Sequence, residues 1–380
     1  MDNGIGVSVV LPCLNEEEAL GICIDKIKEV FLKERIKGEI IVVDNGSTDR
    51  SRKIAEEKGV KIVFEPKRGY GAAYLRGLKE AKGTYIIVGD SDNTYDFYDI
   101  PKFLKPLKEE GYDFVIGTRL KGKILKGAMP WLHRYIGNPI FSQIFRIFFR
   151  SSLSDILCGM RAFTQRAYRI MRLRTLGMEF AMEMVLAAGE NRLKIKEVPI
   201  VYYPRKGKSK LNSFPDGWRY LRFMLLYCPL WLYFIPGITG FLLGLFILLL
   251  LLKGPIVLFG RFWYLHPMIF ASALCILSYQ IINLGIYAHI YAIRQGFLRY
   301  DRLMRFLRRY FKLERGLLLG TFLFLLGFLI NLFIIIEWVS KSFGALYRNR
   351  EAIFSTTLMI LGLQTIFSSF FISLLFLKKK

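Results

Sequence analysis

The sequence predicts an α/β domain built on a mainly parallel sheet, joined through interfacial amphipathic helices to a C-terminal four-helix transmembrane domain. Three observations carry that expectation. Short β-branched runs alternate with helically spaced segments and acidic loops in the first part of the chain. Four long apolar stretches fill the last part. Charge divides unevenly between them: residues 1–228 hold 39 Lys/Arg against 27 Asp/Glu, and residues 229–380 hold 16 against 4. The expected boundaries are a domain over 1–213, an interfacial helix and linker over 214–228, and a membrane domain over 229–380.

The 380 residues are 53% hydrophobic and 23% charged, with a net charge of +24, which excludes wholesale disorder. Five cysteines between Cys13 and Cys275 show no repeated pair spacing, so a small disulfide-stapled fold is excluded too. At the start, Asp2 and Asn3 precede a short strand-like run that Pro12 and Glu16–Glu18 interrupt. No cleavable signal is expected there, and the first domain is expected to stay cytoplasmic.

The first strand is Gly6 to Leu11, followed by PCLNEEEAL. Apolar positions at helical spacing predict a helix over Glu17 to Phe31, and Glu39 to Val43 is a second buried-type strand ending in DNGSTD. A second cycle follows, with helix Arg50 to Lys58, strand Lys61 to Phe64, helix Gly71 to Ala81 and strand Tyr85 to Val88. In such sheets ligands bind beyond the strand C-termini, so Asp44, Asn45, Asp49, Asp90 and Asp92 are candidates to converge. Asp44 suits a hydrogen bond to a nucleobase or ribose, or a cap for the next helix; Asp49 divides equally between those roles.

YIIVGDSDNTYDF places two carboxylates two residues apart directly after a buried strand. An oxygen-seeking divalent cation bridging them to a substrate diphosphate is the favoured reading, against solvated or capping side chains. GYGAAYLRG reads as a turn into a helix rather than a phosphate cradle, because no Lys with Ser/Thr completes a P-loop. No GxGxxG follows the first strand, and His133, His266 and His289 lie far apart with no cysteine set, which argues against dinucleotide and zinc chemistry.

Pro130 to Arg150 interleaves aromatic and aliphatic residues with His133, Arg134, Arg146 and Arg150, and Gly217 to Tyr227 repeats the pattern. Both read as helices at a membrane interface, with an internal packing surface as the plain alternative for the first. The spans Pro229 to Leu252, His266 to Ala292, Gly316 to Glu337 and Ala352 to Leu377 each reach the roughly 20 residues a bilayer requires. Pro236 and Gly237 either bend the first span or mark its interfacial start. Eight Lys/Arg between Arg294 and Arg315 place that loop in the cytoplasm, and with four crossings both termini share its side, bringing Lys378–Lys380 near anionic headgroups. A transporter is disfavoured because the spans hold few ionisable groups. Phospholipid and phosphorylated substrates explain the basic surplus better than nucleic acid does. Gly237, Gly240 and Gly244 allow close helix contact within the chain or in a homo-oligomer.

VVLPCLNEEEAL, EIIVVDNGSTD, KRGYGAAYLRGL, VGDSDNTYDF, DFVIGTR, SDILCGMRAF, GMEFAMEMV and YYPRKGKSKL together resemble family 2 glycosyltransferases with a GT-A nucleotide-sugar domain. The resemblance spans nearly all of residues 6–228. It is closest to the polyprenyl-phosphate glycosyltransferase branch, which includes dolichyl-phosphate mannose synthases. It implies inverting transfer of one hexose from a UDP- or GDP-sugar to polyprenyl or dolichyl monophosphate, with Mg2+ or Mn2+. Pro12, Asn15 and Glu16 would line the nucleotide pocket, Asp44 would lie near the nucleoside, and Asp90 and Asp92 would meet the diphosphate and metal. Many relatives carry a metal-coordinating glutamine where Thr94 stands here, which leaves that coordination position to Thr94 or to water. Arg205 would reach the donor diphosphate, and Lys210 and Ser209 would order the same loop. Arg119 and Arg134 would hold the lipid phosphate. Asp155, Gly159 and Arg161 belong to a segment near the acceptor side, while Glu179 and Glu183, one helical turn apart, suit sugar contacts or the orienting of a cationic residue no better than a solvated helix face or an internal salt bridge. No QxxRW segment follows the acidic motifs, which disfavours a processive synthase. A glycosyltransferase acting on another membrane glycolipid or lipid-linked oligosaccharide is the runner-up, and a noncatalytic nucleotide-sugar-binding membrane scaffold is the alternative of a different class.

Overall fold

The computed structural model describes residues 5–149, 151–207, 213–228, 230–258, 260–294, 304–305, 309, 313–345 and 347–377. The chain forms two compact units, Met1–Met224 and Leu225–Lys380.

The first unit is a seven-stranded sheet in the order β3-β2-β1-β4-β6-β5-β7. Its elements are β1 (Val7–Cys13), α1 (Leu20–Lys33), β2 (Gly38–Asp44), α2 (Ser51–Glu57), β3 (Lys61–Phe64), α3 (Tyr70–Glu80), β4 (Tyr85–Val88), α4 (Ile100–Glu109), β5 (Phe114–Ile124), α5 (Asn138–Phe149), β6 (Arg161–Thr164), α6 (Gln165–Met171), α7 (Phe180–Glu190) and β7 (Ile195–Tyr202). β1, β2, β3 and β4 pair in parallel, as do β5 and β7, while β6 runs antiparallel to both its neighbours. Val7, Val9, Val10 and Leu11 are fully buried, as a strand covered on both faces requires. Leu20, Cys23, Ile24 and Ile27 of α1 recur at helical spacing and are buried as well. The expected helix over 17–31 starts at Leu20, because the amides of Glu16 and Glu17 bond Ser51 and Asp49 across the sheet edge.

The aromatic-basic segment bends through a π-turn (His133–Gly137) into α5. Phe145 is buried, while Trp131, Tyr135, Ile136, Ile140 and Ile147 are exposed. Its Phe141 ring meets Tyr220 of α8 (Ser213–Tyr227) at 5.8 Å. Arg150 lies outside the described residues.

Among its described residues, the second unit holds four helices long and apolar enough to cross a membrane. They are α9 (Ile235–Leu252), extended upstream by a π-turn (Leu230–Phe234), α10 (Leu265–Arg294), α11 (Leu313–Ser340) and α12 (Asn349–Phe376). Pro236 lies in the first turn of α9, directly after the π-turn, at the junction of the two. A short hairpin, β8 (Ile256–Leu258) and β9 (Arg261–Trp263), joins α9 to α10. The glycine stripe of α9 has its partner within the chain: a Cβ on Gly237 would stand 2.8 Å from Ile282, and one on Gly244 2.9 Å from Cys275, both on α10. Most of the basic loop between Arg294 and Arg315, and Lys378–Lys380, fall outside the described residues.

Candidate active site

Register brings the site together. Cys13 pairs with Asp44 and Val10 with Val88, so the loops after β1, β2 and β4 leave the same edge of the sheet. Hydrogen bonds then lock these loops to one another. Asn15, in a left-handed conformation (φ 52°), accepts from the Thr48 amide at 2.7 Å, and the Glu16 amide donates to Ser51 Oγ at 2.8 Å. Ser91 Oγ donates to the Pro12 carbonyl at 2.6 Å. Buried Asp44 accepts from the Ser47 amide at 2.9 Å. Asp49 accepts from the amides of Ser51 and Glu17, bracing the start of α2 against the loop after β1. Asn45 donates to the carbonyls of Glu65 and Lys67 and accepts from the Gly69 amide, tying the GYGAAYLRG segment to the same edge.

GYGAAYLRG is a turn into α3, but it has a second consequence that sequence reasoning missed. Tyr70 and Tyr74, one helical turn apart, both donate to Asp90 Oδ1, at 3.0 and 3.2 Å. Burial pushes both phenols well above their ordinary range, so they remain donors. Asp90 itself is pushed up to about 6 by burial and then by the charge of Asp92; the tyrosine hydrogen bonds oppose the rise. Behind it stands Gly159, where a Cβ would lie 2.7 Å from Asp90 Oδ2. The Gly159 amide donates to the Tyr95 hydroxyl at 2.7 Å.

Asp92 is arranged differently. Its Oδ1 accepts from the Thr94 amide at 3.0 Å and from Thr94 Oγ1 at 2.5 Å. The Thr94 amide and hydroxyl thus orient Asp92, while the lone pairs of the hydroxyl oxygen stay available. Asp92 Oδ2 accepts from Arg205 Nη1 at 2.6 Å, and Arg205 Nη2 donates to Glu16 Oε1. Two backbone bonds, Tyr203 to Thr94 and Lys206 to Asp92, lay the Arg205 loop along the acidic loop. Lys26 braces the acidic loop from α1 through Asn93 Oδ1 at 3.1 Å and Asp96 at 3.3 Å, a contact no local pattern announced.

Arg119 lies within β5 beside a register shift between Thr118 and Lys123 that bends the strand. Its Nε and Nη2 clasp fully buried Asp155 at 2.7 and 2.8 Å. Nη1 has no hydrogen-bond partner among the described residues. Arg134, half-buried in the π-turn, sits 5.3 Å from the Tyr135 ring. Arg161 is buried on the carbonyls of Ile156, Cys158 and Ala181 and is structural. Glu183 accepts from Thr175 and the Arg174 amide, and burial raises its pKa; it braces a loop rather than contacting a cation. Lys210 and Ser209 lie outside the described residues.

Among the described residues, no cluster of three or more His, Cys, Asp or Glu side chains is able to hold a metal. Asp90 and Asp92 fit Mg2+ or Mn2+ only in the manner of a hard cation that takes one or two carboxylates and completes its shell with substrate phosphate and water.

A mainly parallel sheet with paired carboxylates beyond a central strand, carried by a chain with four membrane-length helices, defines a membrane-associated α/β enzyme. Residues 8–172 match the model for glycosyl transferase family 2, and residues 286–376 match that for the glycosyltransferase family 2 C-terminal transmembrane region. The low-salt glycan biosynthesis hexosyltransferase Agl6 of Haloferax volcanii is 36% identical over 366 residues, 96% of this chain and 87% of that protein. A dolichyl-phosphate hexose transferase of the same organism is 32% identical over 56% of this chain and 89% of its own length. The chain belongs to glycosyltransferase family 2 and is a multi-pass membrane protein. Among solved structures, glucosyl-3-phosphoglycerate synthase from Mycobacterium tuberculosis with Mn2+, UDP-glucose and phosphoglyceric acid is 22% identical, with a TM-score of 0.49 over 59% of this chain and 80% of that one. A likeness at that level carries nothing about ligands.

Proposed function

We propose that this protein transfers one hexose from a UDP- or GDP-sugar to a polyprenyl monophosphate, with inversion at the anomeric carbon. The observation that carries this reading is the meeting of Asp90, Asp92, Glu16 and Arg205 at the edge that also holds Pro12, Asn15 and Asp44. Kinship with a dolichyl-phosphate hexose transferase supports the acceptor class.

In this reading Asp44 accepts from the nucleoside, and the braced Asn15 loop shapes its pocket. Asp90 and Asp92 hold a divalent cation together with the donor diphosphate; when bound, that cation supplies Lewis-acid charge to the leaving group. Arg205 adds directional donors to the same diphosphate. A lipid phosphate oxygen forms the new bond to the anomeric carbon while the bond to the nucleoside diphosphate breaks with its electron pair. The acceptor is already ionised near neutral pH, so the reaction needs positioning more than a protein base. Arg134 lies on the aromatic-basic segment suited to headgroups, and Arg119 offers Nη1 while Asp155 holds its other nitrogens. The catalytic domain and both termini face the cytoplasm.

Purified full-length protein incubated with Mg2+ or Mn2+, a short polyprenyl phosphate and a panel of nucleotide sugars should yield lipid monophosphate carrying one hexose, detected by mass. Asp92→Asn should abolish that product. A polymer, a glycosylated non-phosphate lipid, or full turnover by folded Asp92→Asn overturns the corresponding part of the reading.

A further inference from the structure

Asp92 has one oxygen left for a cation, and an arginine holds it. Thr94 takes Oδ1 through both its amide and its hydroxyl, and Arg205 Nη1 takes Oδ2 at 2.6 Å. The other end of the guanidinium is anchored on Glu16, which, like Asp92, is buried. Backbone bonds from Tyr203 to Thr94 and from Lys206 to Asp92 fix the arginine's root, so this contact follows from the loop path. Yet the guanidinium is not satisfied where it rests: its Nε is buried without a hydrogen-bond partner among the described residues. A purely structural arginine in this fold looks different, since Arg161 places Nε, Nη1 and Nη2 on carbonyl oxygens.

We propose that Arg205 is an exchangeable counter-ion. Without donor it neutralises Asp92 and Glu16 and excludes a bare divalent cation from Asp92 Oδ2. When the metal and a nucleoside diphosphate enter together, Arg205 passes from the carboxylates to the diphosphate. This inference rests on the metal and donor roles proposed above. Its physical basis is competition: a guanidinium and a divalent cation cannot share one carboxylate oxygen at contact distance without strong repulsion. The incoming diphosphate removes that conflict by offering Arg205 a bidentate partner of equal or greater charge. The consequence is coupled binding, in which metal without nucleotide is held weakly and each ligand strengthens the other.

The test uses full-length protein in detergent, Mn2+ titrated alone and followed by electron paramagnetic resonance, and UDP or GDP binding measured at saturating Mn2+. Arg205→Ala should tighten donor-free Mn2+ binding on the order of tenfold, the scale of removing a partly buried competing charge. The same variant should weaken nucleotide binding by a similar factor. Opposite signs are diagnostic, because a merely structural loss weakens both. Arg205→Gln, which keeps a neutral donor toward Asp92, must show the same two signs and replaces Arg205→Ala if that protein fails to fold. If Asp92→Asn loses Mn2+ while the Arg205 variants bind it no more tightly than wild type, the exchange is wrong and the metal assignment stands. If Asp92→Asn binds Mn2+ like wild type, the metal assignment itself is wrong and the exchange falls with it.

Discussion

Asp90 is a carboxyl group that the fold holds under strain. Its pKa stands at about 6 against an ordinary 3.8, so the folded state binds its proton more tightly than the unfolded chain does. The neutral acid's stabilisation is complete below pH 3.8 and is lost as pH rises through about 6, where a buried charge must form beside Asp92. Asp90→Asn keeps the tyrosine hydrogen bonds and removes that charge. With metal chelated, it should raise the thermal midpoint at pH 7.5, by roughly 2 kcal/mol of stability, and the gain should vanish towards pH 4. An unchanged or lower midpoint at pH 7.5 would count against the assignment. Asp90 and Asp92 were legible because two acids directly follow a buried strand. The hydroxyls that hold Asp90 come from α3, 16 and 20 residues away, and the carboxylate on Arg119 lies 36 residues away. No local spacing reports such pairings.

At the level of elements, α3 is seated by contacts that only glycine permits. The amides of Gly71 and Ala72 bond the carbonyls of Gly177 and Leu176, and Glu183 of α7 holds that loop through Arg174 and Thr175. Thus Glu183, read from sequence as solvated or sugar-facing, supports the turn that aims Tyr70 and Tyr74 at Asp90. A Cβ on Gly71 would overlap the Thr175 carbonyl and approach Phe180 Cβ to 2.9 Å. Gly71→Ala should therefore cost about 2 kcal/mol in thermal or denaturant unfolding and weaken nucleotide binding, although residue 71 has an ordinary helical conformation. Wild-type stability and affinity would refute this seating. β1 to β4 were readable from β-branched runs of period and length suited to buried strands. The antiparallel direction of β6 was not, because Tyr85 opposite Thr164 is a pairing made across the fold.

Over the whole molecule, the apolar excess resolves into four membrane-length helices, and the proposed orientation can be read by chemical labelling. The five native cysteines are buried, leaving a quiet background for an impermeant maleimide. Phe262, 79% exposed in the hairpin after α9, and Tyr347, 89% exposed between α11 and α12, should label as cysteine variants from outside intact cells. A cysteine at Leu32 of α1, 84% exposed, should label only after permeabilisation. The reverse pattern would invert the topology.

The sequence by itself determined the division into an α/β domain and a membrane domain, the strands of the parallel half, and the acids at their ends. Those features rest on hydrophobic period, length and residue type, which are local. Only the tertiary structure decided which charges meet: Arg205 with Asp92 and Glu16, Arg119 with Asp155, and the α3 tyrosines with Asp90. These pairings follow from strand register and loop path, which bring distant residues to one edge of the sheet. Partner choice among buried charges is therefore a property of the assembled fold.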